Sequence, residues 1–141
     1  MHASIFLNMK YLFIISLLFM ASCELFKIGS GNTGIINPTQ ENAIGAVYLF
    51  KAELDSGNLI GASELLIQKS GNHMIAKERH AAFQQLERVA HTIKGKDIAY
   101  FSTDTLNPNA YDIRCSFNYL NTITFSLLKS DKSWFISEIK E

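Results

Sequence analysis

The side chains of this chain that could do chemistry are few and far apart. His80 and His91 lie eleven residues apart. On a helix that is about three turns, so they share a face at ~16 Å, too far to hold one metal ion. His73 stands alone upstream, and none of the three has a cysteine nearby. No set of Cys, His, Asp and Glu shows zinc-like spacing. Lone neutral imidazoles on a helix surface are the ordinary reading. Asp104 and Asp112 flank a short turn. Two carboxylates can share acid–base work when one is buried, yet aspartate at a turn is usually a solvated residue. Cys115 alternates with Ile113 and Phe117. That predicts a buried, inert thiol rather than a nucleophile served by its own base. Arg114 falls on the opposite face of that stretch, exposed to water or, if turned inward, placed to bind an anion. Tyr48 sits beside an apolar helical stripe, where a phenol completes a core or donates to a ligand oxygen. These residues call for no metal and no cofactor.

The N-terminus carries a different kind of chemistry. From Tyr11 to Met20 nine of ten residues are apolar, Lys10 precedes them, and Ala21, Ser22 and Cys23 follow. This is the order of a secretory signal: a basic start, an apolar run, a small-residue cleavage site. The run is far shorter than the ~20 apolar residues that span a bilayer. Met9-Lys10 makes a more usual signal start than Met1. Met20-Ala21-Ser22-Cys23 resembles the bacterial lipobox, with Met20 where leucine is usual. The resemblance implies cleavage between Ser22 and Cys23 and a diacylglycerol on the Cys23 sulfur. Acyl chains add ~0.8 kcal/mol per buried methylene, so two or three of them anchor a domain stably. Cys115 is then left without a disulfide partner.

The remaining bulk properties fit a single tethered domain. Removing 22 of the 141 residues leaves 119, with 12 basic and 13 acidic side chains. That length supports one core without staples. The charge balance lacks the basic excess that nucleic-acid binding demands. Residues 23–36 read as lipidated N-terminus and tether, broken by Gly29, Gly31 and Gly34. Within them Leu25, Phe26, Ile35 and Ile36 could instead pack on the domain.

Residues 37–141 carry two periodicities. Asn37 reads as a helix cap, Pro38 as the first helical residue and Gln40 as a capping-box partner. Ala43, Val47, Phe50 and Leu54 follow at helical spacing, and Gly57 is a stop. Asn58 opens a short second helix with Ala62, Leu65 and Leu66. A third helix runs from about Ile75 to Ile93, its stripe made of Ala82, Phe83, Leu86, Val89, Ala90 and Ile93. After Gly95 the period becomes two. Ile98, Tyr100 and Ser102 alternate with Ala99, Phe101 and Thr103. Tyr111, Ile113, Cys115, Phe117 and Tyr119 share the next strand face, followed by Ile123, Phe125 and Leu127 and a last strand of Trp134, Phe135, Ile136 and Ile139. Short links predict an antiparallel sheet. The expected class is α+β, with three helices packed on one face of a curved four-stranded sheet.

Three helices followed by four strands resemble the nuclear transport factor 2-like, cone-shaped fold, and more closely the small bacterial lipoproteins of that superfamily. The resemblance covers residues 37–139. It rests on Pro38, Ala43, Tyr48, Phe50 and Leu54 before Asp55-Ser56-Gly57-Asn58, on Ala62, and on Ser130-Asp131-Lys132-Ser133-Trp134-Phe135-Ile136. That last stretch resembles the family's Asp-Gly-Lys-Trp turn, with Ser133 inserted. The superfamily includes ketosteroid isomerase, limonene epoxide hydrolase and polyketide cyclase members, and many without catalysis that use the cone as a binding pocket or dimer surface. None of the catalytic motifs maps onto this chain, so no catalytic residue is carried over, and fold alone does not give function.

The expectation is a membrane-anchored envelope module, on the periplasmic or outer face, that binds a small apolar ligand in the cone or a protein partner on the sheet. Tyr48, Phe83, Tyr100, Tyr111, Phe117, Phe125 and Trp134 are the candidate pocket lining. The alternatives are an enzyme of the isomerase or hydrolase type, and a homodimer that stabilises an envelope assembly. A binder needs a cavity of roughly 300 Å³ or more with few polar groups. A docking module needs an apolar patch beyond a few hundred Å².

Overall fold

The computed structural model describes residues 36–141. The signal run, Ser22, Cys23 and the tether up to residue 35 lie outside the described residues. Three helices come first: α1 (Ala43–Ser56), α2 (Leu59–Glu64) and α3 (Ala76–Ile93). Four strands follow: β1 (Ile98–Asn107), β2 (Ala110–Phe117), β3 (Asn121–Ser130) and β4 (Ser133–Lys140). They form one antiparallel sheet in the order β1-β2-β3-β4. The α+β class and the order of elements are as the periodicity implies.

Helix α1 begins five residues later than Pro38 suggests. Its cap is Asn42, whose Oδ1 accepts from the Gly45 amide at 2.7 Å, not Asn37. Residues 37–40 have other partners. The Gln40 carbonyl accepts from the Trp134 amide at 2.8 Å, and Gln40 Nε2 donates to the Trp134 carbonyl at 3.1 Å. A segment pairing with β4 cannot also be the first helical turn. It lies so close to α1 that a Cβ on Gly45 would meet the Thr39 carbonyl oxygen at 2.7 Å and that of Asn37 at 3.0 Å. At the other end Gly57 takes φ +76 and its amide closes α1 on the Leu54 carbonyl at 3.1 Å.

Leu65 and Leu66 also leave the helix expected for them. The Leu65 carbonyl accepts from Ile136 and the Ile67 amide donates to Ile136, both at 2.9 Å. Residues 65–67 and Gln40 therefore satisfy the outer edge of β4, where an open edge would invite pairing with another chain. Helix α3 follows its predicted stripe. Leu86, Val89 and Ile93 are fully buried, with Ala82, Phe83 and Ala90 packed beside them. Glu78 steadies its start by accepting from the Ile75 amide at 3.0 Å and from Gln68 Nε2 at 2.9 Å.

The inner sheet face is built by alternation on β2 and β3. Ile113, Cys115 and Phe117 face the helices, as do Ile123, Phe125 and Leu127. They meet Val47, Phe50 and Leu54 of α1 in one core, with Phe50 edge-on to Phe125 at 5.8 Å. Each such buried side chain contributes ~1.5–3 kcal/mol. Strand β1 breaks strict alternation twice, at Ala99 and again at Leu106 near its end, and β4 once. The register passes from Ile98↔Phe117 to Tyr100↔Ser116, so Ala99 is an extra residue. Ile98, Phe101 and Thr103 then face inward, and Tyr100 turns outward. On β4 the register passes from Ser126↔Glu138 to Leu127↔Ile136, so Ser137 is extra. That bulge keeps Ile139 on the core face with Trp134 and Ile136. Tyr119, expected on the β2 face, lies instead in the β2–β3 turn at φ +61 and is 82% exposed.

Candidate functional site

The inner face is filled at its centre and open at one end. There the N-terminus of α1 stands away from β1 and β2 and leaves a cleft of about 360 Å³. Ala43 and Ile44 of α1 form one wall. Tyr111 and Ile113 of β2, Thr103 of β1 and Trp134 of β4 form the sheet side. Glu41 and Asn42 close the rim. The elements explain the gap. Residues 37–40 are drawn onto β4 by the Gln40–Trp134 bonds, so the chain enters α1 from the β4 side and nothing from α1 covers Thr103.

Trp134, the single tryptophan of the chain, is packed against Tyr111 with ring centroids 4.9 Å apart. The Lys129 ammonium lies 5.8 Å from its ring centroid. Glu41 is the one charged side chain in the lining, and among the described residues it makes no ion pair. The Asn42 side-chain oxygen Oδ1 already accepts from the Gly45 amide. The cleft thus offers apolar and aromatic walls, a hydroxyl at Thr103, a phenol at Tyr111 and a carboxylate at Glu41.

Of the seven aromatic residues expected to line a pocket, the cleft gathers two, Tyr111 and Trp134. Phe117 and Phe125 are wholly buried as core. Tyr100 is 48% exposed and carried to the outer sheet face by the Ala99 bulge, which corrects its place in that set. Phe83 packs on α3 against His80, ring centroids 5.2 Å apart. Tyr48 is half-buried further along α1. Burial raises its phenol above the ordinary value, helped by nearby Cys115 and Asp97. Sequence reasoning missed Glu41, Asn42, Ile44 and Thr103. Only the helix boundary could have found the first three, since a start at Ala43 leaves Glu41 and Asn42 beside the mouth.

The other reactive residues fall elsewhere. Cys115 is buried, and burial pushes its thiol up to about 12. His73 stacks edge-on against Phe135, with centroids 4.9 Å apart and Nε2 3.9 Å from Asp131. No group of three or more metal-ligating side chains gathers among the described residues. Asp104 and Asp112 pair directly across β1 and β2 on the outer face. The Lys140 ammonium lies 3.7 Å from Asp112 Oδ2, while the buried Oδ1 has no hydrogen-bond partner. Lys140 also reaches Ser126 Oγ at 3.1 Å and Glu138 at 3.5 Å. Glu138 accepts from Lys69 at 2.6 Å, and that hydrogen bond leads the causes holding its carboxyl below the ordinary range. This outer face, with Ser102, Arg114 and Thr124 in its middle row, is polar.

Comparison with protein-family models, with curated proteins and with solved structures found no significant match to this chain.

Proposed function

We propose that this chain is a lipid-anchored envelope protein whose domain binds a small, largely apolar ligand without transforming it. The observation that carries the binding reading is the open cleft between α1 and the β1–β2 end of the sheet. Its volume exceeds the roughly 300 Å³ a small-molecule site needs, and its walls are mainly apolar. Apolar walls with few polar groups are what a binder uses, and they favour that reading over an enzyme of the isomerase type. The resemblance to the nuclear transport factor 2-like fold supports the same reading, because binding in the open end of the cone is a common use of it. The anchor rests on Met20-Ala21-Ser22-Cys23.

Native mass spectrometry of the whole protein, drawn gently from the membranes of its own host, tests both parts. A diacylglycerol mass on Cys23 that vanishes in C23S supports the anchor. An adduct on the order of a few hundred daltons that is lost on truncating Trp134 supports the cleft. An unmodified Cys23 refutes the first, and a bare domain that takes up no apolar probe refutes the second.

A further inference from the structure

We infer that the cleft selects for a protonated amine on its ligand, with Glu41 as the residue that reads it. This rests on the binding reading above and names the class of ligand. Three features of the lining point the same way. Glu41 supplies the only full charge there and, among the described residues, has no cationic partner of its own. Of the other polar groups, the Thr103 hydroxyl and the Tyr111 phenol can both accept a hydrogen bond, while Asn42 Oδ1 is taken by the Gly45 amide. Trp134 borders the cleft, and an aromatic ring attracts cations, as the Lys129 ammonium 5.8 Å from its centroid illustrates. Lys129 itself is not in the lining.

The opposing influence is the N-terminus of α1, which carries a partial positive charge of about half a unit. Asn42 Oδ1 already accepts from one of its free amides. The full charge of Glu41 outweighs what is left. A ligand with an apolar body would therefore lie along Ile44, Ile113 and Tyr111 and turn its ammonium toward the Glu41 rim. A ligand carboxylate at the same place would meet like charge.

The experiment uses three probes of equal length: n-hexylammonium, 1-hexanol and hexanoate. Trp134 is the only tryptophan, so its emission reports the cleft in the full-length protein. Detergent partitioning of each probe is common to both proteins compared and cancels. Hexylammonium is expected to bind about fivefold tighter than hexanol, hexanoate weakest, with E41Q bringing the three together. The preference is expected to shrink in 1 M salt, as a half-exposed charge contact must. Equal binding of all three probes, or a preference that survives E41Q, overturns the amine inference and leaves the cleft reading standing. No response to any probe overturns both. Among the described residues the Glu41 side chain makes no hydrogen bond or ion pair, so an unchanged melting temperature checks that E41Q is folded.

Discussion

Replacing Gly45 by alanine sets two effects of opposite sign against each other. In a bare helix the change stabilises by about 1 kcal/mol, because glycine is the weaker helix former. Here the added Cβ would lie 2.7 Å from the Thr39 carbonyl oxygen and 3.0 Å from both the Asn37 carbonyl and Asn42 Oδ1. Two of those are backbone atoms of a segment fixed by the Gln40–Trp134 bonds, so they cannot simply rotate away. Overpacking of this kind costs ~1–3 kcal/mol, and displacing Asn42 forfeits a cap worth about 1 kcal/mol. After subtracting the propensity gain, G45A should lose about 1–3 kcal/mol. Urea unfolding followed by Trp134 emission measures it directly. N42A should lose about 1 kcal/mol alone, and the double variant less than the two losses added, since both remove the same cap. A G45A protein as stable as the parent, or more so, would refute the close approach of residues 37–39 to α1.

Three further outcomes follow from local geometry. Asp131 and Lys132 form the β3–β4 turn at φ +48 and +71, a conformation in which glycine is preferred at the second position. K132G should therefore raise the melting temperature, by a gain of about 0.5–1 kcal/mol. The Cys115 thiol, held up to about 12, should resist a thiol reagent at pH 8 in the native protein and react at once in denaturant. Fast reaction in the native state would place it at the surface. Partial burial raises the Asp55 carboxyl, but hydrogen bonds from Lys51 and the Gly95 amide, with the Lys51 and Lys94 charges, bring it below its ordinary value. Hydrogen bonds from Gln68 and the Ile75 amide lower Glu78, and Glu138 is lowered by Lys69. Groups depressed in the folded state stabilise above their unfolded pKa and lose that contribution as pH falls through the folded one. Melting temperature should stay level from neutrality to about pH 5 and drop below about pH 4. The D55N variant should drop less; an equal drop would assign the acid loss to other groups.

The sheet was largely legible because its two central strands bury one face and expose the other without interruption. Ile113, Cys115 and Phe117, then Ile123, Phe125 and Leu127, could be assigned by counting in twos. Counting fails where a residue is inserted. Ala99 carries no sign of being a bulge, yet it moves Tyr100 from the inner face to the outer one. Ser137 hides in the same way, and only the apolar Ile139 betrays it. The start of α1 is not fixed by local sequence, because Asn37-Pro38 and Asn42 both suit a cap. The choice between them is made by Trp134, 94 residues from Gln40, which no local pattern can register. The cleft was the least legible part. Aromatic content alone cannot separate Phe125, buried at the centre, from Tyr111, left uncovered at the open end.

The Gln40–Trp134 pair also gives the domain a mechanical character. Tension drawn along the chain from the side of Ile36 reaches these two bonds before it reaches α1. They join the entering chain to the last strand of the sheet, so a pull at one end loads β4 at the other. Glu41 and Asn42, the next residues along, are the rim of the cleft. A pull on residues 37–40 would therefore load that rim and Trp134 before the helices and the inner sheet.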